Sequence, residues 1–91
     1  MIREFDVQNY LKTPEERAAY LEAILEDGDP SLIAAGLGEI ARAVGMTDLA
    51  RQTGISRETL YKSLAPGGNP TLATISKIAG ALGLRLAVVP G

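Results

Sequence analysis

A chain of 91 residues holds one hydrophobic core and not two, and with 46% apolar but only 4% aromatic residues that core must be aliphatic and helix-packed. Cysteine and histidine are both absent, which excludes a disulfide framework and thiolate metal sites and removes the commonest metal ligand and the commonest general base. The formal charge of −2 is unevenly divided: residues 1–45 carry four Lys/Arg and nine Asp/Glu, a net of −5, and residues 46–91 carry five and two, a net of +3. Such a split suits two partners of opposite charge, one of them polyanionic, although water alone satisfies an acidic helix face equally well.

Met1 to Phe5 is too short to distinguish a disordered start from a brief edge strand. The N-terminus lacks the basic-then-apolar order of a signal peptide, and no apolar run approaches membrane-spanning length, so a cytoplasmic location is expected. Asp6 can cap a short helical turn that turns Val7, Tyr10 and Leu11 toward the core. Thr13-Pro14-Glu15-Glu16 predicts a helix start, with threonine as cap, proline in the first helical position and Glu16 completing a capping box. That helix runs to Gly28. Ala18, Leu21, Ile24 and Leu25 form its inner face, and Glu15, Glu22, Glu26 and Asp27 its acidic outer face.

Asp29-Pro30 predicts a second start with Asp29 as cap, followed by Leu32, Ile33, Leu37, Ile40, Ala41 and Val44 at helical spacing. Gly36 and Gly38 interrupt this helix at about 1 kcal/mol each relative to alanine. They read as a close helix–helix contact, since a phosphate-binding loop would need a preceding strand and a following lysine. Gly45 closes the helix.

Residues 46–64, MTDLARQTGISRETLYKSL, predict two short helices joined by a tight turn. Ala50 is small enough for two backbones to approach, Gly54 tolerates the positive φ of the turn, Ile55 plugs the angle, and Ser56 caps the second helix. Leu49, Ile55, Leu60 and Leu64 then point inward, leaving Arg57, Glu58, Tyr61 and Lys62 on the solvent face. The pattern resembles the helix-turn-helix of lambda repressor-like (Xre-type) DNA-binding domains. Thr53 and Ser63 stand where that pattern usually has apolar or small residues, and both are small enough to pack. A plain helical corner with no DNA role makes the same pattern.

Residues 65–70, APGGNP, cannot continue a helix. Asn69 or Thr71 caps the next one, whose Leu72, Ile75, Ile78, Ala79 and Leu82 form an apolar stripe ending at Gly83. Leu84 to Val89 changes period and reads as a strand. A lone strand must find a neighbour, either the N-terminal residues or the same strand of a second copy. Self-pairing about a two-fold axis is the favoured reading, giving a homodimer suited to palindromic sites.

Beyond the motif, residues from about 5 to 86 resemble the probable addiction-module antidote proteins, HigA-like antitoxins with an Xre-type domain. The acidic N-terminal helices set this resemblance apart from a generic Xre domain. It implies a mainly α fold: a lambda repressor-like bundle of about five helices, with an acidic helical extension over 1–29, a helix-turn-helix core over 30–83 and a strand over 84–91. It also implies two activities, repression of the chain's own operon and neutralisation of a small basic toxin of the RelE/ParE type. The acidic face of Glu15, Glu22, Glu26 and Asp27 would then meet the toxin.

In such a domain the second helix of the motif lies in the major groove of double-stranded DNA. Arg57 is the expected base contact, bridging guanine O6 and N7. Tyr61 is expected to contact a base or phosphate and Lys62 a phosphate. Thr47 and Ser56 stand at helix N-termini suited to phosphate, and Asn69 lies in a loop that would flank the backbone. Glu58 either accepts from cytosine N4 or pairs with Arg57 or Lys62. No cofactor, metal site or enzymatic activity is expected, because the carboxylates sit at helix-surface spacing with no apolar pocket around a pair. Two alternatives remain: a stand-alone Xre-type regulator without a toxin, and a protein-binding adaptor whose interactions would show a flat salt dependence.

Overall fold

The computed structural model describes residues 11–26, 29 and 31–91. It contains α1 (Pro14–Leu25), α2 (Leu32–Val44), α3 (Met46–Thr53), α4 (Arg57–Ser63) and α5 (Leu72–Ala81). None of these is long and apolar enough to cross a membrane. Leu11, Leu37, Ile40, Leu49, Leu60, Ile78 and Leu82 are fully buried in one cluster, with Leu64 and Met46 beside them. α1 packs on α2, and α3 sits centrally against α2, α4 and α5.

The start of α1 follows its sequence signal. Thr13 Oγ1 accepts from the Glu16 N–H at 3.1 Å, while Glu16 Oε1 accepts from the N–H groups of Thr13 and Lys12 at 3.2 and 2.9 Å. Three otherwise orphaned donors are satisfied by two side chains. α2 begins later than the sequence suggests. Ser31 occupies the cap position, and Asp29 instead accepts from the Ser31 N–H at 3.0 Å and from its hydroxyl at 2.8 Å. Those two bonds, the hydroxyl first, hold the Asp29 carboxyl below the usual carboxylate range. The expected helical turn after Asp6 and Gly28 itself lie outside the described residues, but α1 ends short of the expected bound, at Leu25 with Glu26 as its C-cap.

Gly36 and Gly38 are contact points. A Cβ at Gly36 would lie 2.9 Å from Ile24 Cδ1, and one at Gly38 would lie 2.7 Å from the Leu64 carbonyl oxygen. α1 therefore crosses α2 at Gly36, and the end of α4 rests on α2 at Gly38. Gly80 in α5 is different: it is exposed and a Cβ there would meet nothing within 4 Å. Gly80→Ala is expected to raise the unfolding free energy by about 0.5–1 kcal/mol, measured by urea denaturation, because it removes only unfolded-state freedom.

α5 ends in a Schellman motif. The Leu84 N–H donates to Ala79 O at 2.8 Å and the Gly83 N–H to Gly80 O at 3.2 Å, with Gly83 at φ 78°. Arg17 of α1 reaches the same corner and donates from Nη1 to Leu82 O at 2.9 Å, while a Cβ at Gly83 would press on Pro14. A cation at a helix C-terminus also meets the negative end of its dipole. The acidic helix is thus stapled to the exit of α5.

Three apolar expectations fail. Leu84 packs against the core, but residues 84–91 form no strand, and Leu86, Val88 and Val89 are 51, 99 and 77% exposed. The segment has the composition of a strand, but the described residues of a single chain offer it no ladder partner. Leu25 and Leu72, each at the end of its helix, are 44 and 70% exposed because the core does not extend past those turns.

Candidate nucleic-acid interface

The segment from α3 to α4 is built around one turn. α2 and α3 are joined through Gly45 alone, which adopts φ 109°. Gly54 ends α3 at φ 73°, ψ 9°, in the left-handed region, and donates to Ala50 O at 2.9 Å. Thr53 strengthens this turn rather than loosening it. Its hydroxyl donates to Leu49 O at 2.8 Å and accepts from the Ile55 N–H at 3.2 Å. Ile55 and Ala50 pack against the core cluster, and Leu49 and Leu60 are fully buried. The inward side of both helices is therefore fixed, which orients the outward side.

Arg57, Glu58, Tyr61 and Lys62 are all exposed on α4, within about 140° of its circumference at 100° per residue. Arg57 and Tyr61, four residues apart, interact: Nη2 of Arg57 donates to the Tyr61 hydroxyl at 3.4 Å, and the guanidinium carbon lies 5.7 Å from the ring centroid. The spacing alone could have suggested this pair. Among the described residues neither Arg57 nor Lys62 is paired with a carboxylate, and Glu58 forms no ion pair with either. Arg51 of α3, by contrast, is paired with Asp48.

The other expected DNA contacts lie on separate elements. Thr47 is exposed in the first turn of α3. Ser56 is exposed but its hydroxyl is engaged, accepting from the Thr59 N–H at 3.1 Å and donating to Thr59 Oγ1 at 2.9 Å. Asn69 is exposed in the loop after α4, and Thr71, not Asn69, caps α5 by accepting from the Thr74 N–H at 3.1 Å. A Cβ at Gly68 would collide with the Ser63 carbonyl, so the loop folds back tightly on the end of α4.

Glu15 and Glu22 of α1 and Glu26 at its C-cap are exposed, at positions that place them on one helix face; Asp27 lies outside the described residues. Behind them, between α1 and α2, Tyr20, Ile24, Leu32, Ala35, Gly36 and Glu39 line a shallow depression of about 400 Å³. Partial burial and then the nearby Glu39 charge push the Tyr20 phenol up. Glu39 itself pairs with Arg42 at 3.1 Å.

A family model described as "Probable addiction module antidote protein" matches residues 1–90. A protein of Haemophilus influenzae described as uncharacterized is 47% identical over 87 residues, covering 96% of this chain and 90% of that one. No solved structure matches the chain. With the match running from the acidic helix through the α3–α4 turn to the exposed C-terminal segment, the chain belongs to the family of probable addiction module antidote proteins.

Proposed function

We propose that this chain is the antitoxin of a toxin–antitoxin module, with α3 and α4 acting as a DNA-binding helix-turn-helix and the acidic α1 meeting a small basic toxin of the RelE/ParE type. The observation that carries the DNA part is the cationic and aromatic face of α4, with Arg57, Tyr61 and Lys62 exposed while Leu60 behind them is fully buried. A helix held this way offers its outer face to a major groove without disturbing the core. Arg57 reads a base, Lys62 neutralises a phosphate, and Thr47 and Asn69 contact the backbone on either side. Ser56 contributes through the backbone it caps, and Glu58 tunes base choice at cytosine N4. The chain acts as a homodimer, so that two α4 helices meet successive major grooves of a palindromic operator.

The test is a titration of the promoter DNA upstream of the chain's own reading frame. Arg57→Ala is expected to weaken binding by about 1–3 kcal/mol, and wild-type affinity should fall steeply with salt. Unchanged affinity for Arg57→Ala would remove that residue from the interface. A second reading, a stand-alone repressor, is favoured by the bonds that tie α1 to the exit of α5, since a helix so held also serves as scaffold. Native mass spectrometry of the tagged chain expressed from its own locus separates the two. A stoichiometric small basic protein supports the antitoxin, and a clean homodimer that still binds the promoter supports the repressor.

A further inference from the structure

Tyr61 is in contact with Arg57. Tyr61 is 49% exposed, so burial of the aromatic does not account for its place on α4. What it touches is the guanidinium: a 3.4 Å hydrogen bond from Nη2 to its hydroxyl and a 5.7 Å approach of the guanidinium carbon to its centroid. Together these place Arg57 over the hydroxyl end of the ring. An exposed arginine normally samples many rotamers, and each must be frozen out on binding. Contact with an aromatic one turn away removes part of that cost before DNA arrives. The bond to Tyr61 takes only one of the two Nη2 hydrogens, so a two-donor edge that uses the other, with Nη1 or with Nε, stays open for guanine O6 and N7.

We infer that Tyr61 is a positioning residue, holding the Arg57 guanidinium as a preset fork for one guanine in each half-site rather than contacting the DNA itself. The inference rests on the DNA-binding reading above and narrows it. A lysine at 57 could not substitute, because it lacks the planar fork.

The experiment uses the full chain and a labelled duplex carrying the DNA immediately upstream of its own reading frame, with an unrelated duplex of equal length as reference. Arg57→Ala is expected to weaken promoter binding about thirtyfold, Tyr61→Ala about fivefold, and Tyr61→Phe, which keeps the ring, less than Tyr61→Ala. The diagnostic result is in the double variant: Tyr61→Ala adds no loss once Arg57 is alanine. Replacing guanines singly by 7-deazaguanine, which removes N7, should reveal one position in each half-site where wild type loses about tenfold and Arg57→Ala loses nothing. In the free protein, Arg57 side-chain NMR resonances should carry a ring-current shift that persists in Tyr61→Phe and vanishes in Tyr61→Ala. Additive losses in the double variant, or Arg57 resonances indifferent to Tyr61→Ala, overturn the positioning role and leave the DNA-binding reading standing. Wild-type protein that binds the promoter no better than the unrelated duplex overturns both.

Discussion

Gly38→Val is expected to destabilise the chain by about 3 kcal/mol, the upper end of the usual range for an overpacked site. The first added carbon would stand 2.7 Å from the Leu64 carbonyl oxygen, and valine adds two more beyond it. That oxygen has little room to retreat. Its residue is 2% exposed in the core, and its N–H is bonded to Leu60 O at 2.9 Å. Relief would have to move the end of α4 bodily, and with it the face that carries Arg57 and Lys62. Gly36 provides the contrast, because its close neighbours are Ile24 Cδ1 and Leu21 Cδ2, the ends of flexible side chains. Gly36→Ala should therefore fall within about 1 kcal/mol of wild type, repacking strain being offset by the helix propensity gained. Urea midpoints at constant slope read both variants. A Gly38→Val midpoint equal to wild type would mean that α4 does not rest on α2 there.

What the sequence disclosed well was local or periodic. The capping box at Thr13 and the left-handed turn at Gly54 are fixed by a few adjacent side chains, and both are present as read. The glycines at 36 and 38 were legible as a contact because nothing else about their surroundings explained them, although which elements they admit is a matter of tertiary packing. Apart from the cap of α2, which falls on Ser31 rather than Asp29, and the end of α1 at Leu25, the misreadings concern partners distant in sequence. Residues 84–89 have strand composition, but a strand exists only with a neighbour, and composition does not supply one. Nothing adjacent to Arg17 in the sequence marks it out, whereas its guanidinium serves a carbonyl 65 residues away. In the candidate site, the exposed face of α4 followed from the buried positions of Leu60 and Leu64. The Arg57–Tyr61 contact required side-chain geometry that spacing permits without demanding.

Reversing Glu15, Glu22 and Glu26 together to lysine is expected to weaken binding of the proposed small basic toxin about a hundredfold, at about 1 kcal/mol for each rim charge pair. The fold should tolerate the change. All three side chains are exposed, and among the described residues none is in an ion pair or a side-chain hydrogen bond. Only Glu15, in the first turn of α1, loses a favourable helix-dipole interaction, worth about 0.3–1 kcal/mol. Glu16 has to remain, because its carboxylate closes the capping box on Thr13 and Lys12. The loss should appear chiefly as a slower association rate and shrink as salt screens the attraction. Added lysines also raise non-specific affinity for DNA, so promoter binding is compared in the neutral Glu15→Gln, Glu22→Gln, Glu26→Gln variant, which should match wild type. Toxin affinity unchanged in the lysine variant would assign α1 to the scaffold, held there by Arg17 and Pro14, and would move the toxin to another surface. Loss of toxin binding with promoter binding intact would separate the two activities onto opposite ends of the charge split.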